Sequence, residues 1–533
     1  MPTHEVANQP PPLEDYDPLA LDPALQEGLR REGAAYAAAK IAQLGRKAAS
    51  REMLEHGRLA NENPPKLKTH DRFGHRVDEV EFHPSWHALM RFSVENGVHA
   101  GSWREPREGA HVARAAKMLL VSQTDYGHGC PISMTYSAFP ALQREPRLFE
   151  EWSPRITSTE YDPRFLPASQ KRGALVGMGM TEKQGGSDVR ANTTRAEPQG
   201  QGVYALTGHK WFCSAPMSDA FLVLAQAPGG LSCFLLPRWN GQERNAIHLQ
   251  RLKDKLGNRS NASSEIELHG AIARIAGEEG RGVQTILEMV NHTRLDCVIG
   301  STAMMRHALL HAVHHTRHRK AFGRLLSEQP LMRAVLADLA VESEAATALM
   351  LRLARAYDQS DAPFRRIATA VAKFWVCKRA APMVAEALEC LGGNGYVEES
   401  GLPRIYREAP LNSIWEGSGN VICLDVLRAL TKEPQAREAL LQEIRAAIGA
   451  DRRLDAAIDA AEALLVRPEE AQARTLVESL ALALQGSLLV RFAPPPVSDA
   501  FCASRLARDH GFTFGTLPAG LDTATILTRA VPD

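Results

Sequence analysis

Apolar positions recur at helical spacing from Leu25 to about Gly45 and again from Ser85 through Ser122, as in Val112, Ala116, Leu119 and Leu120, set among Ala, Arg and Glu. This predicts a helical N-terminal domain. Near Gly173 the period changes. GALVGMGMTE, GVYALTGHKWFC, AFLVLAQA, LSCFLLP and ASSEIELHG are short Val/Leu/Phe runs closed by Gly, Pro or Asn, the pattern of an antiparallel sandwich or barrel. After Gly280-Arg281-Gly282 the helical period returns in VQTILEMVNHTRLDCVIG. Leu331 to Tyr357 and Ile367 to Leu391 read as long amphipathic helices, the second stopped by Gly392-Gly393, and a bundle of long helices follows. Another helix starts at Cys423 and is interrupted by Pro434. The tail keeps a helical pattern until Pro494-Pro495-Pro496. The expected fold class is α+β: an N-terminal arm and helical domain over 1–174, a central antiparallel β domain over 175–281, a helical bundle over 282–433 and an extra helical tail over 434–533.

Composition narrows the partners. The 533 residues hold 62 Lys plus Arg and 62 Asp plus Glu, a balance that argues against a chain coating nucleic acid over its whole surface. The eight cysteines lie scattered, with no CxxC, so they read as buried free thiols of a reducing compartment. His70, His75, His83 and His87 sit between helix breakers without metal-ligand spacing, so no metal is expected. The Pro- and acid-rich start, through Pro10-Pro11-Pro12, predicts an extended arm. With neither a signal peptide nor a long uncharged apolar run in view, the expectation is a cytoplasmic protein off the membrane.

Three stretches carry candidate chemistry. In MTEKQGGSD, Gly185-Gly186 lets the backbone approach a ligand, and Ser187 with nearby N–H groups suits an anion such as a pyrophosphate; a tight turn between strands is the plainer reading. GHKWFCSAP offers Trp211 on a strand, where a core aromatic is the plainer reading. NSIWEGSGN sets one carboxylate, Glu416, inside a small-residue loop.

Together with RLKDKLGNRSNAS, these stretches resemble the acyl-CoA dehydrogenase flavoprotein family, and the resemblance runs from about Asn8 to at least Arg428. It implies bound FAD. By this resemblance Met178, Met180 and Thr181 run along the pyrimidine edge of the flavin, and Gly185, Gly186 and Ser187 meet the pyrophosphate. Trp211 packs on the ring, with Phe212, Cys213 and Ser214 following toward N5. Arg319, Phe322 and Gln329 of RHRKAFG and beyond reach a neighbouring subunit's cofactor, where a solvated basic helix end is the alternative. Gly392 and Gly393 approach through their backbone, and Trp415, Gly417, Ser418, Gly419 and Asn420 surround the base Glu416, which takes the α-proton of a thioester. Thr293 stands where some members carry their base instead, so Glu416 has no rival there. Departures include Cys213 for a hydroxyl residue, Asn291 for an aspartate and Trp415 for a smaller tyrosine. They imply a narrowed pocket and weak dehydrogenation of an acyl-CoA of the isovaleryl type.

The likeness is nearest to the branch of the family tied to DNA alkylation. It implies a homotetramer that binds double-stranded DNA and protects it, with the proline-rich arm packed on a neighbouring subunit. From Pro434 onward, ten Lys/Arg face thirteen Asp/Glu, so phosphate binding needs a segregated stripe. Arg428 and Lys432, four apart on one helix face, continue to Arg437, Arg445, Arg452 and Arg453. The alternative is a metabolic acyl-CoA dehydrogenase using Glu416.

Overall fold

Strands form where the apolar runs were read, and their pairing places the candidate residues. In the computed structural model, which describes residues 3–359 and 361–532, the chain falls into two units: Glu52–Pro106 with Thr124–Asp296, and Met1–Arg51 with Arg107–Gln123 and Cys297–Asp533.

The first unit holds a seven-stranded sheet. In order, Ile247–Leu252, Ser263–Ile275, Val203–Ser214, Arg195–Gly200, Ala220–Ala227 and Val176–Gly179 are neighbours, and Gly230–Pro237 pairs with both Ala220–Ala227 and Ser263–Ile275. That double pairing closes the strands on themselves around Leu206, Phe221, Val223, Phe234, Leu249 and Ile266, all at most 1% exposed. The antiparallel expectation holds for most pairs but not all. Val176–Gly179 runs parallel to Ala220–Ala227, because the chain makes a long excursion between them, as a parallel pair requires.

Helices of this unit pack on the sheet. Thr135, on the helix Gly129–Leu142, accepts a hydrogen bond from the Val176 N–H at 3.1 Å, docking that helix on the strand that carries Met178. Asp125, 1% exposed, is the knot before this helix: it accepts from Asn61 Nδ2 at 2.7 Å, Ser260 Oγ at 3.0 Å and both the backbone N–H and Nδ1 of His128, at 2.8 and 2.9 Å. His128 Nε2 in turn meets Ser93 Oγ at 3.0 Å. A hairpin of Lys66–His70 and Arg76–Glu81 stands where only helix breakers and histidines were read. Its turn is built by Asp71, which accepts from the N–H groups of Phe73 and His75 at 2.8 and 2.9 Å. His83 caps the next helix, Pro84–Glu95, by accepting from the Ser85 N–H.

The second unit is helical. Its long members are Pro330–Asp358 and Ala362–Glu389, the latter capped by Asp361. The helix Ala473–Phe492 lies in an apolar segment long enough to cross a membrane, yet its Leu480, Ala481, Ala483, Leu484 and Leu488 are fully buried in the unit. After Pro494 the chain does not lapse into irregular structure: Pro495–Phe501 is a helix with prolines in its first turn, where no intrahelical N–H is needed, and Thr523–Ala530 follows. Arg529 ties this last helix to Glu27 of the first, at 2.6 Å, and to Glu344, at 2.8 Å. The N-terminal arm rests on its own chain: Asn8 accepts from the Lys320 N–H at 2.7 Å and donates to the Lys320 carbonyl at 2.9 Å.

Replacing Asp125 by Ala strips several buried donors of their acceptor at once. The expected loss is about 3 kcal/mol or more in urea-unfolding free energy. A loss under about 1 kcal/mol contradicts the role given to Asp125.

Candidate functional site

Within the sheet unit the glycine loop is held against the Trp211 strand. The Trp211 N–H donates to the Thr181 carbonyl at 2.8 Å, so Met180 and Thr181 run beside Trp211. A narrow turn follows, with the Gly185 N–H on the Glu182 carbonyl at 3.0 Å. Gly185 has φ +153°, and a Cβ on Gly186 would sit 2.5 Å from Thr181 Oγ1, so only glycine fits this approach. Ser187 is exposed at the crest of the loop.

Beneath the loop lies a buried ion pair. Lys210 Nζ donates to Glu182 Oε1 at 2.8 Å and to the Leu224 carbonyl at 2.7 Å, and both side chains are fully shielded from solvent. Glu182 also accepts from the Thr193 N–H at 2.7 Å, Thr194 Oγ1 at 2.6 Å and Gln184 Nε2 at 2.7 Å. Burial pushes the Glu182 carboxyl up, but Lys210 and these donors outweigh it and leave it at about 2. Burial pulls the Lys210 ammonium down, with Glu182 opposing the shift. Neither residue was singled out from sequence. The available signal was a lysine at an inward position of an alternating strand, between Leu206 and Cys213.

The aromatic part of the site carries a cation. Lys253 Nζ lies 3.2 Å from the Trp211 ring centroid and 4.6 Å from that of Phe212, and is itself held by Glu265 at 2.7 Å. Phe212 is half exposed. Met178 is half-buried on its strand, paired with Leu222. Cys213, which the resemblance sets on the way toward the flavin N5 in place of a hydroxyl residue, turns its side chain inward. Its side chain belongs to the apolar core, where burial pushes the thiol up to about 12, and its carbonyl accepts from Ser264 Oγ at 2.8 Å. Ser214, half-buried and 3.4 Å from Ser263 Oγ, is the hydroxyl left in this stretch.

In the helical unit, Glu416 is partly buried and has φ +59°, a left-handed backbone uncommon for a residue with a Cβ, and Gly417 follows at φ +105°. The loop is held from several sides. Lys373, buried in the helix Ala362–Glu389, donates to the Gly417 carbonyl, and Trp415 Nε1 donates to Asn412 Oδ1 at 2.9 Å. Asn412 Nδ2 reaches Ser301 Oγ at 3.2 Å. Ser418 stands at the N-cap position of the helix Gly419–Lys432 without a side-chain capping bond, and Asn420 accepts from Arg474 at 2.9 Å. Gly392 and Gly393 are exposed at the end of the Ala362–Glu389 helix, as a stop signal predicts. Arg319 donates to the Asn8 carbonyl at 2.6 Å and Gln329 to the Ala321 carbonyl at 3.2 Å, while Phe322, at φ +52°, is 99% exposed on a tight hairpin. Thr293 turns its hydroxyl back on the Val290 carbonyl of its own helix at 3.0 Å.

Two members of the basic stripe are compensated, Arg445 and Arg453. Arg428 and Lys432 are exposed and Arg437 is partly so. Arg445 pairs with Glu462 at 2.7 Å, and Arg453 with Asp451 at 2.6 Å and Asp499 at 2.8 Å.

Residues 8–163 match the family of the adaptive response protein AidB N-terminal domain, 177–271 the acyl-CoA dehydrogenase middle domain and 280–431 the acyl-CoA dehydrogenase C-terminal domain. The chain is 50% identical over 508 residues, 94% of each protein, to AidB of Escherichia coli (strain K12). It is 32% identical over 532 residues, 95% of this chain and 83% of the other, to acyl-CoA dehydrogenase family member 11 of Caenorhabditis elegans. The solved structure of Caenorhabditis elegans ACDH-11 in complex with C11-CoA superposes with a TM-score of 0.86 at 29% identity, covering 95% of this chain and 94% of that one.

Lys210→Met leaves Glu182 a buried charge without its cation and is expected to cost about 3–5 kcal/mol in urea unfolding, part of it regained by adding Glu182→Gln. Because the Glu182 carboxyl is depressed from 4.5 to about 2 on folding, its contribution is complete above pH 4.5 and is lost as pH falls toward 2. The stability gap between wild type and Glu182→Gln therefore narrows over that window. A gap that is independent of pH contradicts the ionised pair.

Proposed function

Because the chain belongs to the acyl-CoA dehydrogenase family, with an AidB-type N-terminal domain, we propose that it is an FAD flavoprotein of the adaptive-response type that holds an acyl-CoA thioester, dehydrogenates it weakly and associates with duplex DNA. FAD is the cofactor of this family, and the residues present fit it. The approach of Gly186 to Thr181, too close for any Cβ, lets backbone N–H groups and the exposed Ser187 hydroxyl meet a pyrophosphate. Trp211 offers a ring for the isoalloxazine and Thr181 a hydroxyl for its polar edge. When bound, FAD supplies the acceptor for a hydride.

The single observation that carries the catalytic reading is the left-handed backbone of Glu416, tied down on both sides by Trp415–Asn412 and Lys373–Gly417. Strain of this kind persists only where its surroundings over-determine it, and it aims one carboxylate. Glu416 is the group that would take the α-proton of the thioester. The thioester reading is supported by ACDH-11, which is known in complex with C11-CoA; an isovaleryl-type chain is the acyl group proposed here. Weak turnover follows from Trp415 beside the base and from a Cys213 thiol turned into the core. The fully exposed Phe322 hairpin, with Arg319 and Gln329 at its base, suits contact with a neighbouring subunit's cofactor in a homotetramer. We place the protein in the cytoplasm.

Duplex DNA is the second part of the reading. It is supported by the match of residues 8–163 to the adaptive-response AidB domain and by the exposed Arg428 and Lys432 on one face of the helix Gly419–Lys432. With Arg445 and Arg453 already paired, few phosphates are contacted, so affinity falls with salt less steeply than for a protein clamping many phosphates.

Anaerobic mixing with isovaleryl-CoA is expected to bleach the flavin slowly in wild type, and Glu416→Gln to cut that rate at least about 1,000-fold without loss of bound FAD. Bleaching that survives the substitution removes Glu416 as base. Arg428→Ala/Lys432→Ala is expected to weaken a duplex-DNA mobility shift about tenfold and leave bleaching intact. An unchanged shift removes this face from the DNA reading.

A further inference from the structure

The sheet unit contains a second cavity, of about 260 Å³, lined by none of the flavin-cradle residues. A wholly apolar cavity of roughly 150 Å³ holds benzene, so this one takes a larger ring compound. One wall is aromatic: the rings of Phe82 and Trp86 stack 4.7 Å apart at 14°, beside Met90, an adaptable side chain, and Leu175.

The polar lining is unevenly satisfied. Lys171 Nζ gives a proton to Asp219 Oδ1 at 2.6 Å, and Asp219 Oδ2 is taken by the Leu175 N–H at 2.8 Å. Tyr161 OH and His87 Nδ1 satisfy each other at 2.8 Å. The Ser218 hydroxyl, on a residue 2% exposed, has no partner among the described residues, an anomaly for a buried polar group. Both oxygens of Asp219 are thus engaged, and beside it the cavity offers donors: the Ser218 O–H and the remaining protons of Lys171. Of the lining carboxylates, Asp219 is paired with Lys171, Asp162 is held by Arg164 at 2.6 Å and Glu81 by Lys68 at 2.6 Å, while half-buried Glu79 also lines the cavity. This lining repels an anion, and next to the aromatic wall the Ser218 and Lys171 groups meet a ligand with donors rather than with a free carboxylate.

We propose that this cavity is a binding site for a small, flat, uncharged ring compound bearing a carbonyl, whose ring lies against Phe82 and Trp86 and whose oxygen accepts from Ser218 and Lys171. The site is tied to the flavin cradle through the backbone. Leu175 directly precedes the strand of Met178, and Ala215, at φ +47°, directly follows Trp211–Ser214. The N–H of Asp219 closes the two segments on the Leu175 carbonyl at 2.8 Å.

Benzamide, benzoate and benzylamine, offered to the full-length flavin-loaded protein and followed by calorimetry and saturation-transfer NMR, test the proposal. Benzamide is expected to bind with a Kd of about 1 mM or tighter, the charged probes at least about tenfold more weakly. Ser218→Ala is expected to weaken benzamide about fivefold, and Ser218→Leu, which fills the cavity, to abolish binding, with flavin content unchanged in both. Ser218→Ala keeps the test decisive if the leucine variant folds poorly. No benzamide binding at about 10 mM, tighter binding of a charged probe, or undiminished binding to Ser218→Ala overturns the proposal.

Discussion

The buried pair of Glu182 and Lys210 is the constraint on which the proposed cofactor cradle depends. A carboxylate and an ammonium, both removed from water, persist only when each is saturated with partners. Here Glu182 takes donors from Lys210, Thr193, Thr194 and Gln184, all from segments that flank the glycine turn or the Trp211 strand. The turn therefore cannot drift from the strand without exposing an unpaired charge. The approach of Gly186 to Thr181 and the bond from the Trp211 N–H to the Thr181 carbonyl follow from that fixed spacing.

In the helical unit, the Glu416 loop is organised by backbone strain rather than by charge. Glu416 takes a left-handed conformation, and the residues that hold it there come from the long helix Ala362–Glu389 and from the turn at Asn412. On the proposed reading, a carboxylate held in this way is a rigid base, which suits abstraction of a weakly acidic proton.

Much of this was legible in the chain. The long helices declare themselves by period, and Gly392-Gly393 marks an end that the structure keeps. The glycine pair, Trp211 and Glu416 were picked out by resemblance to family motifs, since residue type alone left a tight turn and a core aromatic as the plainer readings. The hairpin Lys66–His70 with Arg76–Glu81 was not, since it is polar, half exposed and poor in β-branched residues. Nor was the helix opening at Pro495, because a proline triplet reads as a stop although a first helical turn tolerates it. The Glu182–Lys210 pair spans 28 residues and exists only through sheet register, which no local pattern encodes. Two members of the basic stripe show the converse limit: spacing reveals Arg445 and Arg453 but not Glu462 and Asp499, which pair with them from other elements.

The most direct test of the account is an FAD titration of flavin-stripped protein, read by quenching of flavin fluorescence, for wild type and Gly186→Ala. The alanine Cβ must displace the Thr181 side chain while leaving the Glu182–Lys210 pair beneath it intact. The account predicts one FAD per chain in wild type and at least about tenfold weaker binding in the variant, with the melting temperature nearly unchanged. Equal FAD affinity in the two proteins, or no uptake by either, contradicts it.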